Sequence, residues 1–142
     1  MVPFKQLSHV SVTVSDLEKA TWFYGELIGL ARVPRPDFGF PGAWYSLGDG
    51  LQLHLIVNEE APARPVERHR FDIRDRHFAL WVENADETCE RLARSGHPFH
   101  DFTATPTGLR QLFVHDPDGN MVEFIGPTSQ ARVVRMDENS LT

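Results

Sequence analysis

The sequence predicts an α+β fold built from two tandem copies of one strand, helix and hairpin module, and three observations predict it. A period-two apolar run, a helix-capping sequence, a closing glycine and an Asp-Gly turn occur twice in the same order. The corresponding positions keep nearly one offset: 68 from His9 to His77, 69 from Ser15 to Asn84, 67 from Gly29 to Gly96 and 69 from Asp49 to Asp118. Residues of metal-binding type recur at matching intervals, His9 to His54 at 45 and His77 to Glu123 at 46. One metal site shared by the two copies, and an enzyme, are therefore the leading expectations.

Taken in order, residues 9–14 (HVSVTV) alternate as a strand does. Ser15-Asp16-Leu17-Glu18 reads as a Ser-x-x-Glu capping box opening a helix to Ile28, which Gly29 closes. A strand through Trp44 and Ser46 runs into Asp49-Gly50, and LQLHLIV returns as the second arm of a hairpin. Residues 58–76 follow, containing proline and carrying five acidic and five basic side chains, which predicts a solvated connector. The second copy repeats the order: 77–82 (HFALWV) as a strand, Asn84-Ala85-Asp86-Glu87 as the box, Gly96 as the stop, a strand through Phe113 and His115, the turn Asp116 to Asn120, and 121–126. Residues 127–142 are polar and read as a loosely held tail. The chain is expected to be one domain over 1–142, with module one about 7–57, the connector 58–76 and module two about 77–126.

A net charge of −6 and a pI near 5.6 argue against a nucleic-acid or anionic-membrane partner, since both would require a basic patch. A small-molecule partner fits better. Neither an apolar leader at the N-terminus nor a membrane-length apolar run is present in the sequence, so a cytoplasmic protein is expected. The single cysteine, Cys89, shares a helical spacing with Ala85, Leu92 and Ala93 and reads as a buried structural thiol.

Strand parity sharpens the site. Val10, Val12 and Val14 oppose His9, Ser11 and Thr13, and Leu51, Leu53 and Leu55 oppose Gln52, His54 and Ile56. Phe78, Leu80 and Val82 oppose His77, Ala79 and Trp81, while Val122 and Phe124 oppose Met121, Glu123 and Ile125. In all four strands the apolar set faces the helix and the histidine or glutamate faces away. The same offset equates Trp44 with Phe113 and Ser46 with His115, and parity adds Gln111. Trp44, Gln111, Phe113 and His115 thus become candidate substrate-binding residues on a concave sheet. Three histidines and one carboxylate suit zinc, nickel, cobalt, manganese or ferrous iron better than calcium or magnesium. A structural zinc held by all four is the competing reading. His69 reads as solvated, His97 and His100 face opposite sides of a strand, and Arg32 and Arg110 could hold a substrate anion but read better as solvated strand-edge residues.

HVSVTVSDLEKATWFYGELIGL, HLIV, HFALWVENADETCERL and FVHDPDGNMVEF resemble the vicinal oxygen chelate superfamily, over residues 7–126. That superfamily includes glyoxalase I, fosfomycin-resistance proteins, extradiol dioxygenases and bleomycin-resistance proteins. The resemblance implies two tandem βαβββ modules forming a curved mixed sheet around a central metal cleft, often in a homodimer. It implies one divalent metal held by His9, His54, His77 and Glu123. His9, His77 and Glu123 match the triad of fosfomycin-resistance proteins and extradiol dioxygenases. His54 stands where glyoxalase I normally carries a glutamate. The implied activity is a metal-dependent lyase or isomerase acting on a small oxygenated compound or thiol adduct. In that reading Glu123 is ligand and proton acceptor, and His54 is fourth ligand or base. A thiol transferase, a ferrous dioxygenase and a non-catalytic binding protein are the alternatives.

Overall fold

A computed structural model describes residues 1–60, 71–103 and 107–130. Each half runs strand, helix, three strands, as the duplication predicts. The first contains β1 (His9–Val14), α1 (Leu17–Thr21) continuing as a π-helix (Trp22–Leu27), β2 (Arg32–Val33), β3 (Gly42–Gly48) and β4 (Leu51–Val57). The second contains β5 (His77–Trp81), α2 (Ala85–Ser95), β6 (Phe99–Phe102), β7 (Arg110–His115) and β8 (Met121–Gly126). Each half forms its own four-stranded mixed sheet, ordered β1-β4-β3-β2 and β5-β8-β7-β6. The chain divides into two compact units, Met1–Val66 with Asp116–Asn120 and Glu67–His115 with Met121–Thr142.

The registers repeat between the sheets. In the parallel pair β1·β4, His54 stands opposite Ser11, two residues from His9; in β5·β8, Glu123 stands opposite Ala79, two residues from His77. Across the antiparallel pairs, Trp44 faces His54 and Phe113 faces Glu123. The parity reading holds in β1 and β4, where Val12, Val14, Leu53 and Leu55 are buried while His9, Ser11 and Thr13 are exposed. These side chains pack with Ala20, Phe23, Tyr24 and Leu27 to make the first core. In β8 both faces are covered, and Glu123 is only 4% exposed.

The helix starts need one correction. Asn84 caps α2 as expected, its side chain accepting from Asp86 N and Glu87 N. The first helix is capped by Asp16, which accepts from Lys19 N at 3.1 Å, and not by Ser15. Ser15 is engaged elsewhere, donating through its backbone N and its hydroxyl to the Asp118 carboxylate at 2.9 and 2.5 Å. The second half of the predicted helix widens into a π-helix, with Ile28 N donating to Phe23 O. Its buried residues keep the spacing of an ordinary α-helix, so the apolar pattern does not announce the change.

The turn at 116–120 is anchored in the first unit. Asp116 is buried and accepts from Tyr24 Oη, Asp118 N, Asn120 N and Asn120 Nδ2 at 2.8 to 2.9 Å. Burial raises its carboxyl above the ordinary range, against the pull of those hydrogen bonds. The start of the expected loose tail is also held: Pro127 O accepts from Ala85 N, and Thr128 and Ser129 bond to Asp86. Residues 131–142 and His69 of the connector lie outside the described residues.

Candidate functional site

In the first unit, His9 and His54 project from adjacent parallel strands, and their rings stack at 4.2 Å and 14°. Trp44 stacks on the other face of His54 at 4.1 Å and 8°, following the cross-strand pairing of β3 with β4. His54 Nε2 meets Gln52 Oε1 at 2.9 Å. An amide oxygen only accepts, so Nε2 carries the hydrogen and Nδ1 the lone pair. Burial, then the neighbouring charges of His9 and Arg35, lowers the His54 pKa and favours the neutral ring.

In the second unit, His77 Nε2 lies 2.9 Å from Glu123 Oε2. His77 Nδ1 meets the Asp75 carbonyl oxygen at 2.7 Å, so Nδ1 must be the donor. Nε2 then faces an acceptor oxygen, an arrangement satisfied by a second proton on the ring or by a cation. An imidazole nitrogen and a carboxylate oxygen are both donor types that a borderline divalent ion takes. A histidine whose other nitrogen donates to a carbonyl is also the usual way of fixing a ligand's tautomer. The donor chemistry of the pair therefore fits a borderline divalent ion. Gln111 Nε2 donates to Glu123 Oε1 at 2.5 Å, so this predicted substrate-binding residue orients the carboxylate.

His9, His54, His77 and Glu123 thus appear as two pairs, one in each unit. Among the described residues no group of three or more His, Cys, Asp or Glu side chains is arranged to hold a metal. Trp44 is half-buried against His54. Phe113 is buried, meeting His77 edge-on at 5.6 Å. His115 stacks on Phe71 at 4.6 Å and 9°, and its carbonyl engages His97 Nε2. Phe71, also stacked on His100, lies within the connector, and its role has no periodic signature in the sequence.

Arg110 departs from both readings the sequence offered. It is 5% exposed and binds Asp101 through two nitrogens at 3.0 and 2.6 Å, and Asp86 at 2.7 Å. Its guanidinium is consumed by structure, not by solvent or substrate. The Asp101 carboxylate is the main reason its pKa lies above the ordinary arginine value. Cys89, half-buried as a helix residue, receives Arg110 Nη2 at 3.0 Å, and burial pushes its thiol up. The carboxylate and thiol partners of this network come from β6 and α2, which sequence spacing alone does not bring together.

Comparison with known proteins agrees with this architecture. A family model, Glyoxalase/Bleomycin resistance protein/Dioxygenase superfamily, matches residues 6–124. A lactoylglutathione lyase of Neisseria meningitidis is 31% identical over 125 residues, covering 84% of this chain and 89% of the relative. Glyoxylase I 4 of Arabidopsis thaliana is 30% identical over 121 residues, covering 83% and 68%. The crystal structure of a glyoxalase family protein from Enterococcus faecalis superposes with a TM-score of 0.67 at 25% identity, covering 86% of this chain and 98% of that one. Among the described residues no helix is long and apolar enough to cross a membrane.

Proposed function

The chain belongs to the Glyoxalase/Bleomycin resistance protein/Dioxygenase superfamily, and from that premise we propose that it is a metal-dependent lyase or isomerase of glyoxalase type. Its substrate would be a small oxygenated compound or thiol adduct, and its working form a homodimer. His9, His54, His77 and Glu123 are the proposed ligands of one divalent ion, zinc, nickel, cobalt, manganese or iron. The observation that carries the reading is the His77–Glu123 pair, two ligand-type atoms 2.9 Å apart with the histidine tautomer fixed by a carbonyl. The ion, when bound, supplies electrostatic stabilisation to negative charge developing on adjacent substrate oxygens.

The chain's own groups have separable tasks. Glu123 accepts the substrate proton, and the Gln111 amide holds the carboxylate in orientation while it does so. His54, kept neutral between Trp44 and His9, serves as fourth ligand or as a second base through Nδ1. Trp44 offers an aromatic wall beside His54, Phe113 backs His77 from within the core, and His115 stands at the end of β7. The lactoylglutathione lyase relatives favour proton transfer on a thiol adduct. A ferrous dioxygenase is the second reading, favoured by the two-histidine, one-carboxylate set of His9, His77 and Glu123.

The test is metal content per chain by elemental mass spectrometry on untagged protein purified without chelator, beside a His77→Ala, Glu123→Ala double variant. Near-stoichiometric nickel, cobalt, manganese or zinc, absent from the variant, is expected, together with turnover of the glutathione–methylglyoxal adduct. Iron with substrate-dependent oxygen consumption would select the dioxygenase. No metal after incubation with each ion would overturn the enzyme reading and leave a binding protein. Glu123→Gln is expected to abolish turnover; full activity at unchanged metal occupancy would remove its proton-transfer role.

A further inference from the structure

Residues 34–41 (PRPDFGFP) form an aromatic and cationic loop that leads into β3 in the first unit. Asp37 Oδ1 accepts from Gly39 N at 2.8 Å, and Gly39 sits at φ +74°, a turn that sets Phe38 and Phe40 beside each other at 5.9 Å. The Arg35 guanidinium carbon lies 5.0 and 4.9 Å from those two ring centroids, within cation–π range of both. Phe38 meets Trp44 at 5.7 Å, and Trp44 stacks on His54, which stacks on His9. Five rings therefore run in one row from the loop to the proposed metal ligands.

Two features of this loop leave it open to a ligand. Phe38 and Phe40 are 51% and 43% exposed, which leaves paired aromatic surface in water. Arg35 donates to the Phe40 and Pro36 carbonyls, and among the described residues no carboxylate pairs with it. A positive charge lying over flat aromatic surface complements a flat, negatively charged ligand. Flexible aliphatic ligands would gain no stacking there.

We propose that Arg35, Phe38, Phe40 and Trp44 form a specificity subsite for a planar aromatic group bearing an anionic substituent, the simplest case being an aromatic carboxylate. The subsite takes the tail of the substrate whose oxygens reach the His9–His54 pair, and this placement rests on the lyase reading of that pair. Binding of the aryl anion itself requires neither metal nor turnover.

The experiment is calorimetric titration of the full chain, treated with chelator, using 2-naphthoate as probe, with naphthalene-2-methanol and cyclohexanecarboxylate as comparisons. Saturable binding of 2-naphthoate, stronger than that of either comparison, is expected. Phe38→Leu, Phe40→Leu should weaken it about tenfold while keeping the loop apolar. Arg35→Gln should weaken 2-naphthoate by a similar factor and leave naphthalene-2-methanol unchanged, which also shows that the loop keeps its shape. His77→Ala should bind the probe as the parent does. Equal affinity for the aromatic and alicyclic acids, no saturation, or unchanged affinity in the Phe variant would overturn the proposal. So would a change in solution mass of the Phe variant, which would mark the patch as a contact between copies of the chain. Absence of metal with normal 2-naphthoate binding would sink the lyase reading alone, and an active metal-loaded enzyme that ignores 2-naphthoate would sink the subsite alone.

Discussion

Arg110 is the residue whose removal should be felt most in the second unit. Its guanidinium is almost fully buried, while its partners Asp86 and Asp101 are a fifth to a third exposed. Arg110→Met would leave two carboxylates facing one another without their cation, and solvent would relieve only part of the loss. We expect a destabilisation of about 2–3 kcal/mol by urea denaturation. The same cluster predicts a pH effect. The Thr128 hydroxyl, the Ser129 backbone and hydroxyl, and Arg110 hold the Asp86 carboxyl well below the usual carboxylate range. A depressed carboxyl contributes stability that is complete above the ordinary aspartate value and disappears as pH falls through the folded value. Thr128→Val should therefore reduce stability near neutral pH and flatten the acid limb of the melting-temperature profile. An acid limb that is as steep in the variant as in the parent would remove Asp86 from the account.

At the scale of elements, three glycines should respond in opposite directions. Gly25 lies in the π-helix, and a Cβ there would meet the Tyr45 ring and hydroxyl at 3.5 to 3.9 Å, ordinary contact. Gly25→Ala should stabilise by about 0.5–1 kcal/mol, because the substitution restricts the unfolded chain without a clash. Gly42 in β3 and Gly126 in β8 are different: a Cβ on either would run into a backbone carbonyl, of Leu55 or Val82. Those backbones cannot yield as a side chain does, so Gly42→Ala and Gly126→Ala should each lower the melting temperature. The parity of β1 and β4 was readable from sequence because alternation directly records which face meets a helix. The cap at Asp16 was not, because it depends on Asp118 claiming Ser15 from a turn 103 residues away. Arg110 was misread for the same reason, since its partners arrive from α2 and β6.

At the scale of the whole chain, the duplication was the most legible feature, because its offsets of 67 to 69 are set by element lengths that each module needs to close its own sheet. The pairing of His9 with His54 and of His77 with Glu123 follows from that repeat, since each parallel strand pair places the two residues on one face. Periodicity carries no information on how rings in the 34–41 loop stack, so the aromatic row was invisible. The proposed ligand set makes a prediction that no single pair would make. If one ion takes ligands from both modules, its binding should be lost on substituting either pair, and its stabilisation should appear in the folding of the whole chain. At free metal about a hundred times its dissociation constant, binding to the native state alone adds about 2.7 kcal/mol, which for a chain of this length is roughly 10 °C in melting temperature. Chelator should remove that increment from the parent, and His9→Ala and Glu123→Ala should each show no metal-dependent increment. A metal-dependent increment that survives His9→Ala would remove His9 from the ligands and exclude the four-ligand set.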